Sequence, residues 1–132
     1  MQILNNQYPP NIAEIRKKLE IDNNTLFAYG DELFNPSGKT ISDDLIVHET
    51  MHEIQQRELG IEAWWDRYLT DNAFRLTQEV EAYRQQYRFV KANFNRQVAR
   101  ASLQKMAKAL SSRLYGSVIN KANAQEIICQ ND

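Results

Sequence analysis

The sequence predicts a helix-dominated α+β domain, with one small N-terminal β-hairpin and about four helices. Three observations predict it. Apolar residues recur at helical spacing over much of the 132-residue chain. Two short β-prone runs flank the pair Gly30-Asp31. No internal repeat, linker or low-complexity stretch divides the chain, so its length corresponds to a single domain spanning residues 1–132.

The elements follow in order. Pro9 and Pro10 keep the first residues extended. Asn11 is placed to cap a first helix running through Ile12, Ile15, Leu19 and Ile21, with Asp22-Asn23-Asn24 ending it. Thr25–Tyr29 and Glu32–Phe34 read as two strands joined by a Gly-first two-residue turn. Asn35-Pro36-Ser37-Gly38 is a second turn. Ser42 is a good N-cap, and Asp43 and Asp44 sit where a helix welcomes carboxylates, so a helix over 43–59 with Gly60 as terminator is expected. After a short aromatic stretch over 61–69, a further helix is expected over about 71–92. A basic one follows over about 96–114, stopped by Tyr115-Gly116, and a last helical turn over 125–129.

Composition narrows the function classes. Hydrophobic residues make up 42% and charged residues 25%, ordinary for a soluble globular chain. No apolar run approaches the ~20 residues that span a bilayer, and the opening MQILNNQYPP has no signal-peptide pattern. One cysteine, Cys129, excludes an internal disulfide framework and any Cys-rich zinc module. A cytoplasmic protein is the expectation. The net charge of −1 hides a split: residues 1–81 carry 7 Lys and Arg against 15 Asp and Glu. Between Ala82 and Gln125 there are nine basic residues and no acidic one. Such asymmetry marks either an anionic partner such as nucleic acid or packing of a basic half against an acidic half. Along ideal helices Arg84, Arg88 and Lys91 form a stripe, whereas Arg96, Arg100 and Lys108 point elsewhere.

The chemistry concentrates in His48-Glu49-Thr50-Met51-His52, an H-E-x-x-H pattern. Four residues apart on a helix, both imidazoles reach one metal ion. Glu49 lies about 100° round from His48, close enough to handle the proton of a metal-activated water without ligating. Random placement of this chain's two His and its Glu residues would produce the pattern about once in a thousand arrangements. A catalytic Zn²⁺ site takes three protein ligands and an open position. Glu79 and Glu81 are the nearest downstream candidates. They lie on different faces, and small Ala82, three residues after Glu79, favours Glu79.

His48-Glu49-x-x-His52 followed by Glu79-x-x-Ala82-Tyr83 resembles the gluzincin zinc metallopeptidases. The resemblance implies a minimal zincin-like fold, Zn²⁺ held by His48, His52 and Glu79, Glu49 as general base and acid, and a peptide or protein substrate. Tyr83 stands where many relatives carry an Asp or Asn that orients a ligand histidine. Over residues 25–90, including Gln55-Gln56, Trp64-Trp65 and Arg67-Tyr68-Leu69, the chain also resembles small metallopeptidase-like proteins of tailed phages, which would place it in the host cytoplasm or the virion. Deformylases share H-E-x-x-H but take a Cys ligand from a separate motif, and no Cys precedes His48.

Other residues have competing readings. Tyr83, Arg84 and Tyr87 follow Glu79 on its helix and are candidate donors to a developing oxyanion, with Tyr83 and Tyr87 the catalytic candidates. Trp64 and Trp65 read as packing residues. Either strand of the hairpin is a candidate edge for strand addition by substrate. Cys129 is either a fourth zinc ligand that holds the enzyme latent or an incidental thiol. The rival to hydrolysis is a catalytically silent scaffold that binds nucleic acid or an assembly partner through the basic half.

Overall fold

The computed structural model describes residues 1–112 and 119–130. Within them the chain runs β1 (Gln2–Asn5), α1 (Ile12–Lys18), β2 (Phe27–Tyr29), β3 (Glu32–Asn35), α2 (Asp43–Leu59), α3 (Ile61–Thr70), α4 (Asn72–Asn93), α5 (Arg96–Leu110) and α6 (Lys121–Cys129). The helix-dominated α+β class holds. Helices number six rather than about four among the described residues, because the aromatic stretch forms α3 and the last turn extends to α6.

The hairpin forms as expected: β2 pairs antiparallel with β3 in the register Phe27↔Phe34, Ala28↔Leu33 and Tyr29↔Glu32. Gly30 takes φ +62°, the left-handed value that the first position of a Gly-first turn requires. The extended residues before Pro9 become β1, which pairs parallel with β3 and gives the order β1-β3-β2. Asn35 O accepts from Gly38 N–H at 3.1 Å, closing the second turn.

α2 has the expected limits and ends at Gly60, whose φ of +101° turns the chain directly into α3. Ser42 sits in extended N-cap geometry but makes no side-chain cap bond, and neither does Asn11. Asp71, Asn95 and Asn120 do cap their helices, accepting from the N–H groups of Phe74, Val98 and Asn123. Two expected helix ends move. α1 stops at Lys18 because Leu19 turns extended, which sends Leu19 and Ile21 over the site described below. α5 stops at Leu110: Ser112 N–H bonds Ala109 O, and Ser111 Oγ occupies Lys108 O, a tightening that ends the ladder. The expected terminator Tyr115-Gly116 lies outside the described residues.

A core of aromatic and aliphatic side chains joins the layers, with Trp64, Tyr68, Val80, Leu103, Leu110 and Ile128 among its members. α2 packs chiefly on α4, where Ala82 is fully buried and lets the two helices approach. α2 turns its polar side inward. His48, Glu49, His52, Gln55 and Gln56 are buried, while Leu45, Ile54 and Leu59 stay exposed. No helix among the described residues is long and apolar enough to cross a membrane.

Candidate metal centre

α2 presents His48 and His52 one turn apart, and α4 brings Glu79 against them. His48 Nε2 lies 3.0 Å from Glu79 Oε1 and His52 Nε2 lies 3.2 Å from Glu79 Oε2. The three donor groups lie within 4.8 Å of one another, and all three residues are buried. Glu81, the other acidic candidate, points away and accepts from Gln55 Nε2 at 2.9 Å.

What surrounds the imidazoles fixes their tautomers. Gln86 gives its amide N–H to Asp44 Oδ2 at 2.7 Å, so its carbonyl oxygen faces His48 Nδ1 at 3.0 Å. Gln55 gives its amide N–H groups to Gln78 O and Glu81 Oε1, so its carbonyl oxygen faces His52 Nδ1 at 2.8 Å. Both Nδ1 atoms therefore carry hydrogen and donate. In the neutral rings both Nε2 lone pairs then point at the Glu79 carboxylate, where lone pairs and oxygens repel unless a cation lies between them.

Protonation is one way to supply that cation. Burial alone would pull the His52 imidazolium down, but Glu79 and Glu49 beside it outweigh burial and lift its pKa to about 9. Burial pushes the Glu79 carboxyl up, yet the two histidines hold it well below the usual carboxylate range. A metal ion is the other way. Tetrahedral Zn²⁺ with bonds near 2.0–2.1 Å separates its ligand atoms by about 3.3 Å. The observed 3.0 and 3.2 Å run to the two different oxygens of Glu79, and the whole donor set lies within 4.8 Å, so small side-chain shifts bring the three donors to that spacing. Two Nε2 donors and one carboxylate, each imidazole donating its other N–H to a fixed oxygen, suit Zn²⁺ in type, number and outer support.

Glu49 is buried beside the donors, and burial raises its carboxyl above the ordinary range, the two histidines opposing that rise and Glu79 adding to it. Such a carboxylate takes up a proton more readily than a solvated one, which suits a general base. Tyr68, in the last turn of α3, donates its hydroxyl to Glu79 Oε2 at 2.5 Å. Burial, then Glu79, pushes its phenol well above 10, so it remains a donor. Trp64 stacks on the Tyr68 ring at 4.7 Å and 21°, and lies 5.2 Å from the His52 ring. The two tryptophans are thus packing residues that also wall the site.

Expectation and structure divide over the remaining residues. His48, Glu49, His52 and Glu79 converge. Tyr83 does not border the cavity at the donors; its ring edge backs His48 at 4.5 Å, and the hydrogen bond that orients His48 comes from Gln86, one turn further along α4. Tyr87 lines a different groove, with Lys91 over its ring at 4.9 Å. Arg84 is committed to Ile127 O and Gln130 Oε1. Neither Tyr87 nor Arg84 reaches the site. Cys129 Sγ bonds Glu126 O at 3.6 Å on α6 and is not among the clustered donors, so it is no fourth ligand here.

The strand-addition expectation also changes. β3 is the central strand and offers no free edge. In β2 the closing pair Tyr29↔Glu32 serves the ladder, so Ala28 and Gly30 turn their backbone groups outward. Two of those groups are already taken: Gln56 donates to Ala28 O at 2.9 Å and accepts from Gly30 N–H at 2.6 Å, and Trp65 Nε1–H donates to Ala28 O at 3.1 Å. Gln56 behaves as a short mock strand that locks α2 to the hairpin.

Sequence reasoning singled out neither Gln55, Gln56 and Gln86 nor Tyr68 for these roles. The adjacent pair Gln55-Gln56, starting three residues after His52, was the available signal. Comparison with protein families, curated proteins and solved structures finds no match to this chain.

Proposed function

We propose that the protein is a zinc-dependent peptide hydrolase of gluzincin type. The observation that carries the reading is the pair of Nε2 lone pairs turned on one buried carboxylate, each ring locked through Nδ1 by an amide that is itself locked. His48, His52 and Glu79 would hold the ion, and Zn²⁺ in such a site supplies Lewis acidity and an activated water. Glu49 accepts the proton of the attacking water and returns it to the departing amine. Gln86 and Gln55 keep the two rings in register, and Tyr68 holds Glu79 by its second oxygen. We place this activity in the cytoplasm, or in a host cytoplasm or virion if the chain is phage-borne.

Metal analysis of protein purified without added zinc, followed by zinc titration, tests the first half. Close to one zinc per chain is expected, and no binding on titration overturns the reading. Glu49→Gln is expected to keep zinc and to lower peptide hydrolysis by about 10²–10⁴-fold. Undiminished hydrolysis removes Glu49 from the mechanism.

One observation favours binding of a polyanion such as nucleic acid as a second reading. Lys91 of the expected stripe and Arg96 and Arg100, expected to point elsewhere, meet in the structure around a groove of about 480 Å³ with Tyr87, and among the described residues no carboxylate lines it. Salt-sensitive retention of single-stranded DNA that survives Glu49→Gln supports it, and no retention at low salt removes it.

A further inference from the structure

The donors are almost closed off. His48, Glu49, His52 and Glu79 are 2–7% exposed, and the cavity at them holds only about 70 Å³. That is room for about two waters at ~30 Å³ each, far below the ~300–1,000 Å³ of ordinary ligand pockets. Part of its wall is the segment between α1 and β2, where Leu19, Ile21, Thr25 and Leu26 border the same cavity as the donors.

That segment belongs to no helix or strand, and its hydrogen bonds are nearly all to itself. Asn24 N–H and Thr25 Oγ1–H donate to Asp22 Oδ1, Asp22 N–H donates to Thr25 Oγ1, and Thr25 N–H donates to Asp22 O. Among the described residues the bonds that leave it are Leu19 N–H to Ile15 O at its root and an exposed Lys39 Nζ–H to Asn24 Oδ1. Glu20, Asp22, Asn23 and Asn24 are exposed on its outer side. A pre-folded turn held down by three half-buried aliphatic side chains can lift as a unit without breaking a sheet or helix ladder.

We propose that residues 19–26 form a strap that closes the metal cavity, and that a substrate chain reaches the donors only when the strap swings away. Its catalytic meaning rests on the hydrolase reading, but the closure itself does not depend on a metal.

The chain has two tryptophans, Trp64 and Trp65, and both line the cavity; each also borders an outer groove, so the opening is read as the rise in acrylamide quenching of a strap variant over wild type. Ile21→Ser removes one wall side chain. Asp22→Ala acts at a distance from the cavity by releasing Asn24 and Thr25. Ile21→Ser is expected to raise the open population about tenfold, the cost of losing one half-buried aliphatic contact. The readouts are a higher quenching constant, and about tenfold faster zinc loss to a chelator from the zinc-loaded protein. Asp22→Ala is expected to shift both readouts in the same direction by less, and it carries the test if Ile21→Ser does not give a cooperative thermal transition. Quenching equal to wild type in the folded variants overturns the strap even if zinc binds. Quenching that rises in a protein that takes up no zinc upholds the strap and overturns the metal reading instead.

Discussion

Zinc uptake should be steeply pH-dependent in a range where an ordinary histidine is not. In the metal-free protein Glu79 and Glu49 lift the His52 imidazolium to about 9 against the pull of burial, so at neutral pH that ring holds a proton that zinc must displace. Between pH 7.0 and 8.5 the deprotonated fraction of a group with pKa 9 rises about 24-fold, whereas one at 6.5 gains less than about 1.5-fold. Apparent zinc affinity, measured by competition against a chelating indicator and corrected for the indicator's own protonation, should therefore rise roughly 20-fold over that interval. Calorimetry at pH 7.0 in buffers of different ionisation enthalpy should find about one proton released per zinc. The stability of the metal-free protein should move oppositely. His52 has a folded pKa above its unfolded value, so its contribution is complete below about 6.5 and is lost as pH rises through about 9. Glu79, with its folded pKa depressed, contributes fully above about 4.5 and is lost only in acid. The zinc-induced rise in thermal midpoint should thus be larger at pH 8.5 than at pH 6.5. A threefold or smaller rise in affinity, with no proton released, would refute the assignment of a protonated, carboxylate-paired His52.

Three further outcomes follow from the geometry. Gln86→Ala leaves His48 Nδ1 without its acceptor and should weaken zinc binding about 10–100-fold while the protein stays folded, as competition titration would record; unchanged affinity means the tautomer argument fails for His48. Tyr68→Phe deletes a bond to a buried carboxylate and should destabilise the metal-free protein by about 1.5–3 kcal/mol in urea unfolding, against a reading of well under 0.5 kcal/mol if the hydroxyl is idle. Gly30→Ala should cost about 1–2 kcal/mol through its φ of +62°; the 2.8 Å approach of a new Cβ to Ile61 Cδ1 adds little, since a side-chain tip can turn aside, and a neutral result on thermal unfolding would mean that the turn relaxes.

The parts of this molecule legible in the sequence are those set by local rules. α2 starts after Ser42 and ends at Gly60 as its flanks dictate, and the hairpin turns at Gly30-Asp31 because few other pairs fit there. The identity of the donors was legible for the same reason, since i, i+4 spacing on a helix is local geometry. The face that α2 buries was not. Hydrophobic periodicity assumes that burial is driven by apolar area, and here Leu45, Ile54 and Leu59 stay outside while five polar residues go in. Four of those five, all but Glu49, offset burial through partners 3 to 38 positions away, such as Gln55 beside His52 and Gln86 reaching His48. No propensity encodes that pairing.

The inversion also bears on why the site takes this form. A buried imidazole, carboxylate or amide left unpaired costs about 1–3 kcal/mol, more when charged. Around the donors His48, His52, Glu79, Gln55, Gln86 and Tyr68 each have a partner, and none of their polar atoms is left buried and unbonded. Satisfying that network consumes the inner face of α2 and takes Glu79 and Gln86 of α4, so the apolar lining of the cavity comes from α1, the segment that follows it, β2 and α3. Leu19 and Ile21, read in the sequence as the continuation of a helix, are needed there instead, and the early end of α1 at Lys18 is the structural consequence. Replacing His48 and His52 together by Leu would relieve α2 of its polar debt but strand Glu79, Gln55 and Gln86, so the double variant should be less stable than wild type despite its greater apolar area. The same burial that makes the donor set competent for a cation thus makes the fold depend on keeping all of its members.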